Sequence, residues 1–254
     1  MDFKDKVVLI TGAAGGIGLA AARKYAAEGA KVALVDLKQD ALEQAAGDMD
    51  GALLLSADVS NEDDVKDYVA KTVEAFGRID VFVNNAGING DFKPITDQTV
   101  DNYRKVLDIN VIGVALGLKH VVAQMKKQGG GAIVNTASNG GLLGAPGMSA
   151  YVASKHAVIG INKSVALEVA GDNIRVNAVC PSGVDTQMMR SIEENATASG
   201  SENARETFES SVPLGRYAEA DEIADLMLFL SSDKASFITG AYYRIDGGGG
   251  AVSV

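Results

Sequence analysis

The sequence predicts a doubly wound α/β fold, in which one seven-stranded parallel sheet carries helices on both faces. Short apolar runs alternate with segments of helical periodicity along nearly all of the 254 residues, and such alternation is typical of parallel strands joined by right-handed crossovers. The first run, Lys6 to Thr11, is β-branched and apolar, which suits a strand buried on both faces. A glycine-rich stretch follows it directly.

The elements follow one another in a regular order. Strands are predicted at Lys6–Thr11, Lys31–Val35, Ala52–Ala57, Asp80–Asn84, Ala132–Thr136, Ile174–Val179 and Ala241–Ile245. Helices are predicted at Gly16–Glu28, Gln39–Ala46, Asn61–Phe76, Val100–Lys127, Ala150–Val169 and Asp221–Leu230, and the fourth is either one long helix or two joined ones. Gly29 suits the end of the first helix. Ser60, three residues before Asp63, predicts a capping box at the start of the third.

One segment interrupts this order. Residues 187–216 are polar, rich in Ser and Glu, and too long for an ordinary connection, so that they are typical of a lid or a disordered segment. Because there is no repeat and no proline-rich linker, we expect a single domain over residues 1–254 with a substrate lid at about 187–216.

Composition excludes several classes of function. The net charge is −10 and the cations are dispersed, which argues against a nucleic-acid partner. Cys180 is the only cysteine, so no intrachain disulfide can form, and we expect it to be a buried small apolar residue. Without a signal peptide or an apolar run of about 18 residues, we expect no membrane partner and a cytoplasmic protein. His120 and His156 belong to no metal-binding pattern, so no metal is expected.

The glycine-rich stretch Thr11-Gly12-Ala13-Ala14-Gly15-Gly16-Ile17-Gly18 lies between the first strand and the first helix. In a Rossmann-type domain, such a turn lets the backbone approach a pyrophosphate at the helix N-terminus. Gly12 would permit the tight turn, Gly16 the close approach, and Gly18 the packing of helix on strand. A merely flexible loop is the alternative.

Asp36 ends the second strand, 18 residues after Gly18. A carboxylate at this place binds the adenosine ribose hydroxyls and repels the 2′-phosphate of NADP. Among the neighbours, Lys38 is the one cation that could offset it, so that NAD is favoured over NADP. The alternative is that Asp36 only caps the loop.

Tyr151 and Lys155 are four residues apart at the start of a helix and therefore share a face. Lowering a tyrosine pKa from about 10 to about 7 requires roughly 4 kcal/mol. One cation at about 4 Å supplies about that much at an effective dielectric constant of about 20. The pair could therefore serve as an acid/base, although taken alone it is more often structural.

Six motifs appear along the chain in the order in which the short-chain dehydrogenase/reductase family has them. Because of these motifs, the sequence resembles that family over essentially its whole length. They are the glycine turn, Asp58-Val59, Asn84-Asn85-Ala86-Gly87, Asn110, Ser138 at 13 residues before Tyr151, and Tyr151 with Lys155. Pro181 to Thr186 resembles the family's carboxamide-binding segment, except that the family usually has Gly where Ser182 stands and here Gly183 follows one position later.

The resemblance implies a role for each matching residue. Tyr151 would be the general acid/base, Lys155 would lower its pKa and hold the nicotinamide ribose, Ser138 would bind the substrate oxygen, and Asn110 would position a proton-relaying water. The cofactor-binding residues would be Gly12, Gly15, Gly16, Ile17, Gly18, Asp36, Leu37, Asp58, Val59, Asn85, Ala86, Gly87, Tyr151, Lys155, Pro181, Val184 and Thr186. It also implies a homotetramer.

These observations predict an NAD(H)-dependent oxidoreductase for a small secondary alcohol or ketone. The substrate pocket should draw on residues 89–92, 139–148 and the segment after Thr186, and an apolar wall could include Leu142, Leu143, Met148, Met188, Met189 and Phe208. Two alternatives stay open. One is a 3-oxoacyl-[acyl-carrier-protein] reductase, with Lys119, Lys126 and Lys127 as a weak basic patch, and the other is a non-enzymatic NAD-binding regulator. A hydrolase is disfavoured because Ser138 has no His partner at triad spacing.

Overall fold

The predicted strands form one parallel sheet in a computed structural model of the chain, which describes residues 3–198 and 203–251. They are β1 (Val7–Thr11), β2 (Lys31–Asp36), β3 (Leu53–Ser56), β4 (Val81–Asn84), β5 (Gly131–Thr136), β6 (Ile174–Pro181) and β7 (Tyr242–Ile245). They lie in the order β3-β2-β1-β4-β5-β6-β7 and each neighbouring pair is parallel. The predicted fold class is confirmed.

Helices cover both faces of the sheet. They are α1 (Gly16–Ala27), α2 (Gln39–Ala46), α3 (Glu62–Phe76), α4 (Val100–Leu107), α5 (Gly113–Gln128), α6 (Ser149–Val169), α7 (Gln187–Ala198), α8 (Ala204–Ser210) and α9 (Ala220–Ser231). Helices α3, α5 and α6 pack into one apolar core, and α1, α2 and α9 into the other. Successive residues of β1 alternate between them, with Leu9 in the first core and Val8 and Ile10 in the second.

The long helix predicted from Val100 is two helices joined by a π turn. The turn spans Asp108–Ile112 and contains the buried Asn110. The whole segment Val100–Gln128 is long and apolar enough, by length and composition alone, to cross a membrane. Its buried side chains, among them Leu118 and Met125, pack into the first core, which accounts for part of this apolarity.

One local prediction was wrong, and one segment contains helices that the sequence analysis did not predict. Asn61, not Ser60, caps α3, because its Oδ1 accepts from the backbone N–H groups of Asp63 and Asp64, whereas the Ser60 hydroxyl bonds to Asp58. The segment 187–216 contains α7 and α8, which its polar composition concealed. The predicted lid is described except for residues 199–202.

A cleft opens at the carboxyl ends of β1 and β4. The chain runs from β1 to β2 and β3 on one side, and then from β4 to β7 on the other. Connections after β1 and β4 therefore leave the sheet in opposite directions, and doubly wound sheets bind their ligands in the crevice between such connections.

Candidate active site

The glycine turn after β1 is shaped by close backbone packing. Gly12 has φ +66°, and a Cβ there would lie 2.9 Å from the Ala86 Cα. A Cβ on Gly18 would lie 2.1 Å from the carbonyl oxygen of Gly12, so that only glycine lets α1 start so close to β1. A Cβ on Gly15 would meet nothing within 4 Å. The turn thus offers open space at the N-terminus of α1, where a phosphate group fits.

Thr11 and Asn85 hold the two sides of the cleft together. The Thr11 hydroxyl accepts from the N–H groups of Asn85 (3.0 Å) and Ala86 (3.1 Å), while Asn85 Nδ2 donates to the carbonyls of Thr11 and Gly12 (both 3.2 Å). The Asn85 side chain is therefore engaged in fixing the glycine turn.

Asp36 does cap the loop. Its Oδ2 accepts from the Ala14 N–H at 2.9 Å, and its Oδ1 from the Leu37 N–H at 2.8 Å. It also lines the cleft, beside Leu37. Since a carboxylate oxygen has two acceptor positions, this capping leaves one position on each oxygen for a ribose hydroxyl.

The Asp58-Val59 pair stands on the adjacent wall. Asp58 Oδ1 accepts from the N–H and hydroxyl of Ser60. Val59 packs against Gly113, where a Cβ would lie 2.9 Å from Val59 Cγ2. A glycine at the start of α5 thus lets this wall approach the helix.

Ser138, Tyr151 and Lys155 converge at the carboxyl end of β5. A Cβ on Gly140 would lie 3.3 Å from the Tyr151 ring and 3.5 Å from the Ser138 Oγ, which places both groups around one point. The Lys155 Nζ lies 5.7 Å from the centre of the Tyr151 ring and donates to the Thr136 carbonyl at 2.8 Å.

Burial sets the protonation of these groups. It raises the pKa of Tyr151 above its usual 10, although a hydrogen bond with Ser138 acts to lower it. It also lowers the pKa of Lys155 to about 8. In the protein alone, desolvation therefore outweighs the lowering of the tyrosine pKa that we expected from Lys155.

Asn110 uses its whole side chain within the protein. Its Nδ2 donates to the Ile88 carbonyl (2.8 Å) and the Ser154 hydroxyl (3.0 Å), and its Oδ1 accepts from the Ile88 N–H (2.8 Å). Ser154 in turn donates to the Tyr151 carbonyl at 2.7 Å. Asn110 is thus linked to the first turn of α6, and one acceptor position of its Oδ1 is left unused by these bonds.

The segment Pro181 to Thr186 brings the lid to the glycine turn. The Thr186 Cγ2 would lie 3.2 Å from a Cβ on Gly16. The shifted glycine has a partner, because a Cβ on Gly183 would lie 2.7 Å from the Tyr217 ring. The guanidinium of Arg205 lies over the same ring at 5.2 Å. No signal in the sequence pointed to Tyr217.

Most predicted site residues line one cleft of about 710 Å³. Among the predicted cofactor-binding and catalytic residues, Gly18 and Asn110 are not part of its lining. Gly18 packs against the Gly12 carbonyl, and Asn110 bonds to Ile88 and Ser154. Met148, Met188, Met189 and Phe208 line it as expected, whereas Leu142, Leu143 and residues 89–92 do not. Leu142 packs against the first core instead. Ile192 and Val212 line the cleft from the predicted segment after Thr186, whereas sequence reasoning missed Ala57, Ile88, Ile109, Ala137 and Gly249.

The other candidate groups have structural partners. His120 Nε2 lies 3.0 Å from Glu62 Oε1, and His156 Nδ1 lies 2.9 Å from the Val152 carbonyl. Burial raises the pKa of Cys180 to about 11, which keeps the thiol protonated at neutral pH. Within residues 3–198 and 203–251, His, Cys, Asp and Glu form no cluster suited to a metal ion.

Comparison with known proteins identifies the family. A family model described as enoyl-(acyl carrier protein) reductase matches residues 12–249. Levodione reductase of Leifsonia aquatica is 43% identical over 97% of this chain and 94% of its own length. The chain belongs to the short-chain dehydrogenase/reductase family. As a member, it is an oxidoreductase that acts on alcohols or ketones with a nicotinamide cofactor.

Other members of the short-chain dehydrogenase/reductase family are similar over their whole length. The 3-oxoacyl-[acyl-carrier-protein] reductase of Thermotoga maritima is 42% identical over 98% of this chain and 99% of its own. The crystal structure of levodione reductase superposes with a TM-score of 0.94, covering 99% of this chain and 100% of that one at 43% identity. That of NAD⁺-bound xylitol dehydrogenase gives 0.93, covering 98% and 100% at 40% identity.

Proposed function

We propose that this enzyme transfers a hydride between NAD(H) and a small secondary alcohol or ketone, with Tyr151 as the general acid/base. The observation that carries the proposal is the meeting of Ser138, Tyr151 and Lys155 in the cleft that also contains Asp36 and the glycine turn. The nicotinamide, when bound, supplies or accepts the hydride. The protein has to hold the substrate oxygen and move one proton at it.

Each catalytic group has a distinct task. The Ser138 hydroxyl donates to the substrate oxygen and orients it. The Tyr151 phenol, protonated at neutral pH because burial raises its pKa, gives its proton to that oxygen during reduction and takes it back during oxidation. Lys155 offers one N–H to the Thr136 carbonyl, and its other two ammonium donors are left for the ribose and for a water held by Asn110.

The geometry of the glycine turn supports a dinucleotide in this cleft. Gly12, Gly15 and Gly16 border the space in front of α1, and the unpaired N–H groups at a helix N-terminus are suited to bind an anion there. Asp36, Leu37, Asp58 and Val59 would hold the adenosine, Asn85 to Gly87 the central part, and Pro181, Val184 and Thr186 the carboxamide. Asp36 with its unused lone pairs favours NAD over NADP.

The acyl-carrier-protein alternative is weakened by the ion pairs of α5. Lys119 Nζ lies 2.6 Å from Glu62 Oε1, and Lys126 Nζ lies 2.7 Å from Asp172 Oδ2. Two of the three cations of the predicted basic patch are therefore already paired with carboxylates. The presence of both Tyr151 and Lys155 argues against a non-enzymatic regulator.

Steady-state kinetics over a panel of small ketones, run with NADH and NADPH in parallel, tests the proposal. We expect turnover of small ketones with a preference for NADH. Turnover restricted to 3-oxoacyl thioesters with NADPH would support the alternative, and no turnover with any ketone would support the regulator. We further propose a homotetramer with a lid at 187–216, and cytoplasmic location stays a prediction.

A further inference from the structure

Asp246 is a buried carboxylate that the proposed mechanism does not use. It comes directly after β7 and is 9% exposed. Its Oδ2 accepts from Asn139 Nδ2 at 2.9 Å and from the Gly250 N–H at 2.8 Å, and its Oδ1 accepts from the Gly248 N–H at 3.1 Å. Burial acts to raise the pKa of Asp246, but these hydrogen bonds hold it below its usual value. The side chain is therefore ionised at neutral pH, and all three bonds are charge-assisted.

One of these bonds leads to the catalytic serine. Asn139 opens a 3₁₀ turn, Asn139–Gly141, which Ser138 precedes. The Ser138 Oγ accepts from the Gly140 N–H of this turn at 3.0 Å, which leaves its hydrogen free to be donated. The turn thus determines where the Ser138 hydroxyl lies, and Asp246 anchors the turn through the Asn139 side chain.

The other two bonds shape the glycine-rich turn that follows Asp246, and this turn packs against the end of the lid. The Gly247 carbonyl accepts from the Leu214 N–H at 3.2 Å. A Cβ on Gly247 would lie 2.5 Å from Val212 Cγ1. Val212 and Gly249 both line the cleft. The same carboxylate therefore also supports one wall of the cleft.

We propose that Asp246 is a positioning residue for the hydride transfer, and that it acts on Ser138 through Asn139. The proposal rests on the function proposed above. Burying a carboxylate is costly unless hydrogen bonds replace its hydration, and here the bonds that do so come from the serine turn and from the turn beside the lid. Asp246 itself does not line the cleft, so its influence on the reaction has to pass through these turns.

Replacement of the carboxylate tests this role. Misplacing a catalytic group by about 1 Å costs on the order of 100-fold in rate, so we expect Asp246→Ala to lower kcat for ketone reduction by about 10–100-fold, while the Kd for NADH stays nearly unchanged. Asp80→Ala is the matched control. Asp80 is as buried, at 8% exposed, but it bonds to the Val7 N–H and pairs with Arg78 at the opposite end of the sheet, so its loss should leave kcat unchanged.

The pH profile shows whether the effect passes through Ser138. Burial raises the pKa of Tyr151, and a hydrogen bond with Ser138 acts to lower it. A displaced Ser138 hydroxyl loses that lowering, so the rise of alcohol oxidation with pH should move to higher pH in Asp246→Ala, as it should in Ser138→Ala. A merely structural defect would lower the rate at every pH without moving the profile.

A double-mutant cycle provides a second measure of the coupling. Groups that act as a unit are not additive, so adding Asp246→Ala to Ser138→Ala should lower the residual kcat by less than about threefold. Single turnovers at high enzyme concentration measure these low rates.

Asn139→Ala decides even if Asp246→Ala does not fold. It breaks the same link and leaves both glycine N–H bonds to Asp246 in place, so we expect the same fall in kcat and the same shift with pH. An unmoved pH profile, or equal falls in kcat with and without Ser138, would overturn the role of Asp246 while leaving the proposed oxidoreductase function intact. No turnover of any small ketone by the wild type with NADH or NADPH would overturn both.

Discussion

Tyr151 is the residue whose chemistry is least replaceable in the proposed mechanism. Phenylalanine keeps the ring and its packing but removes the proton that has to reach the substrate oxygen. We expect Tyr151→Phe to lower kcat by about 10²–10⁴-fold, the usual contribution of general acid–base catalysis, while the Kd for NAD stays nearly unchanged. Stopped-flow turnover and fluorescence titration measure the two quantities.

The pH profile provides the control for this prediction. Alcohol oxidation needs the phenolate, and burial raises the pKa of Tyr151, so the wild-type rate should rise with pH through the neutral range. The residual rate of Tyr151→Phe should lack that rise. Ordinary turnover by Tyr151→Phe would leave the family membership intact but remove the assigned acid/base.

Lys155 should be costly to the stability of the free protein. Its pKa falls from 10.5 unfolded to about 8 folded, so below pH 8 the folded state holds its proton less favourably than the unfolded state. At 1.36 kcal/mol per unit this amounts to about 3 kcal/mol, offset in part by the hydrogen bond to Thr136. We therefore expect Lys155→Met to raise the free energy of unfolding at pH 7 by about 1–3 kcal/mol, while abolishing activity.

The sign of the effect can be checked by varying pH. Between pH 8 and 10.5 the unfolded chain binds more protons at Lys155 than the folded chain does. The free energy of unfolding of the wild type should therefore rise with pH relative to that of Lys155→Met, and the difference between them should shrink. Urea denaturation without cofactor measures this. Lys163→Met, which removes an exposed lysine from the same helix, is the control. A less stable Lys155→Met at pH 7 would contradict the prediction.

Asp36 should determine the choice of cofactor. Hydrogen bonds to a carboxylate contribute about 1.5–3 kcal/mol each, so Asp36→Ala should weaken NAD binding by at least about tenfold and improve the relative use of NADP. Loss of the bond to the Ala14 N–H adds to the first effect. The Kd values for both dinucleotides measure the change, with Asp40→Ala on the exposed start of α2 as the control. A wild-type preference for NADPH would show that Asp36 is misinterpreted.

At the scale of elements, α7 and α8 are tied to the cofactor segment through one carboxylate. Arg190 of α7 and Arg205 of α8 both pair with Asp185, next to Val184 and Thr186, and their hydrogen bonds lower its pKa. All three side chains are partly exposed, and such ion pairs are individually weak, at about 0–1 kcal/mol. Met188, Met189, Ile192 and Phe208 turn inward from the same helices to line the cleft.

We therefore expect the lid to open without ligand and to close over bound cofactor and substrate. Limited proteolysis should cleave within residues 187–216 in the free protein, and NAD with an alcohol should protect that segment. Asp185→Asn should increase cleavage of the free protein, because it weakens both pairs. Equal cleavage of the wild type with and without ligands would argue against a lid.

At the scale of the whole molecule, the edge of the sheet beyond β6 carries exposed apolar side chains. Phe237 is fully exposed and Leu167 is 85% exposed. Strand β7 is the last strand of the sheet. Helix α6 lies beside it, because Lys163 Nζ of α6 is 5.1 Å from the centre of the Tyr242 ring of β7. A Cβ on Gly240, just before β7, would also lie 3.5 Å from Ala166 Cβ of α6. The outer side of α6 and the β7 edge thus form one surface, of the kind that oligomers cover.

This surface should contribute to the proposed homotetramer. Light scattering at micromolar concentration should give four times the chain mass of 26.3 kDa. The double variant Phe237→Asp with Leu167→Glu should give a smaller assembly, whereas Ile95→Asp, at an exposed apolar residue elsewhere, should not. A stable wild-type monomer would contradict the homotetramer.

The sequence by itself determined the elements and the local motifs. Period-2 and period-3.6 patterns depend on residues within one segment, and for this reason β1, α1 and the seven-stranded α/β class were predictable. The same holds for the glycine turn and for Tyr151 with Lys155, whose spacing on one helix is geometry of the helix alone. Helix α7 was missed although Met188, Met189, Ile192 and Ala196 recur at helical spacing, because the polar composition of the whole segment was taken as a sign of a loop.

The tertiary structure decided the contacts between distant segments. Asn139 meets Asp246 across 107 residues, and Gly183 meets the ring of Tyr217 through the loop that follows the lid. It also decided that burial, not the neighbouring charge, dominates the pKa values of Tyr151 and Lys155. The physical reason is common to these cases: partner and solvent exposure depend on which faces pack together, and no local pattern encodes that.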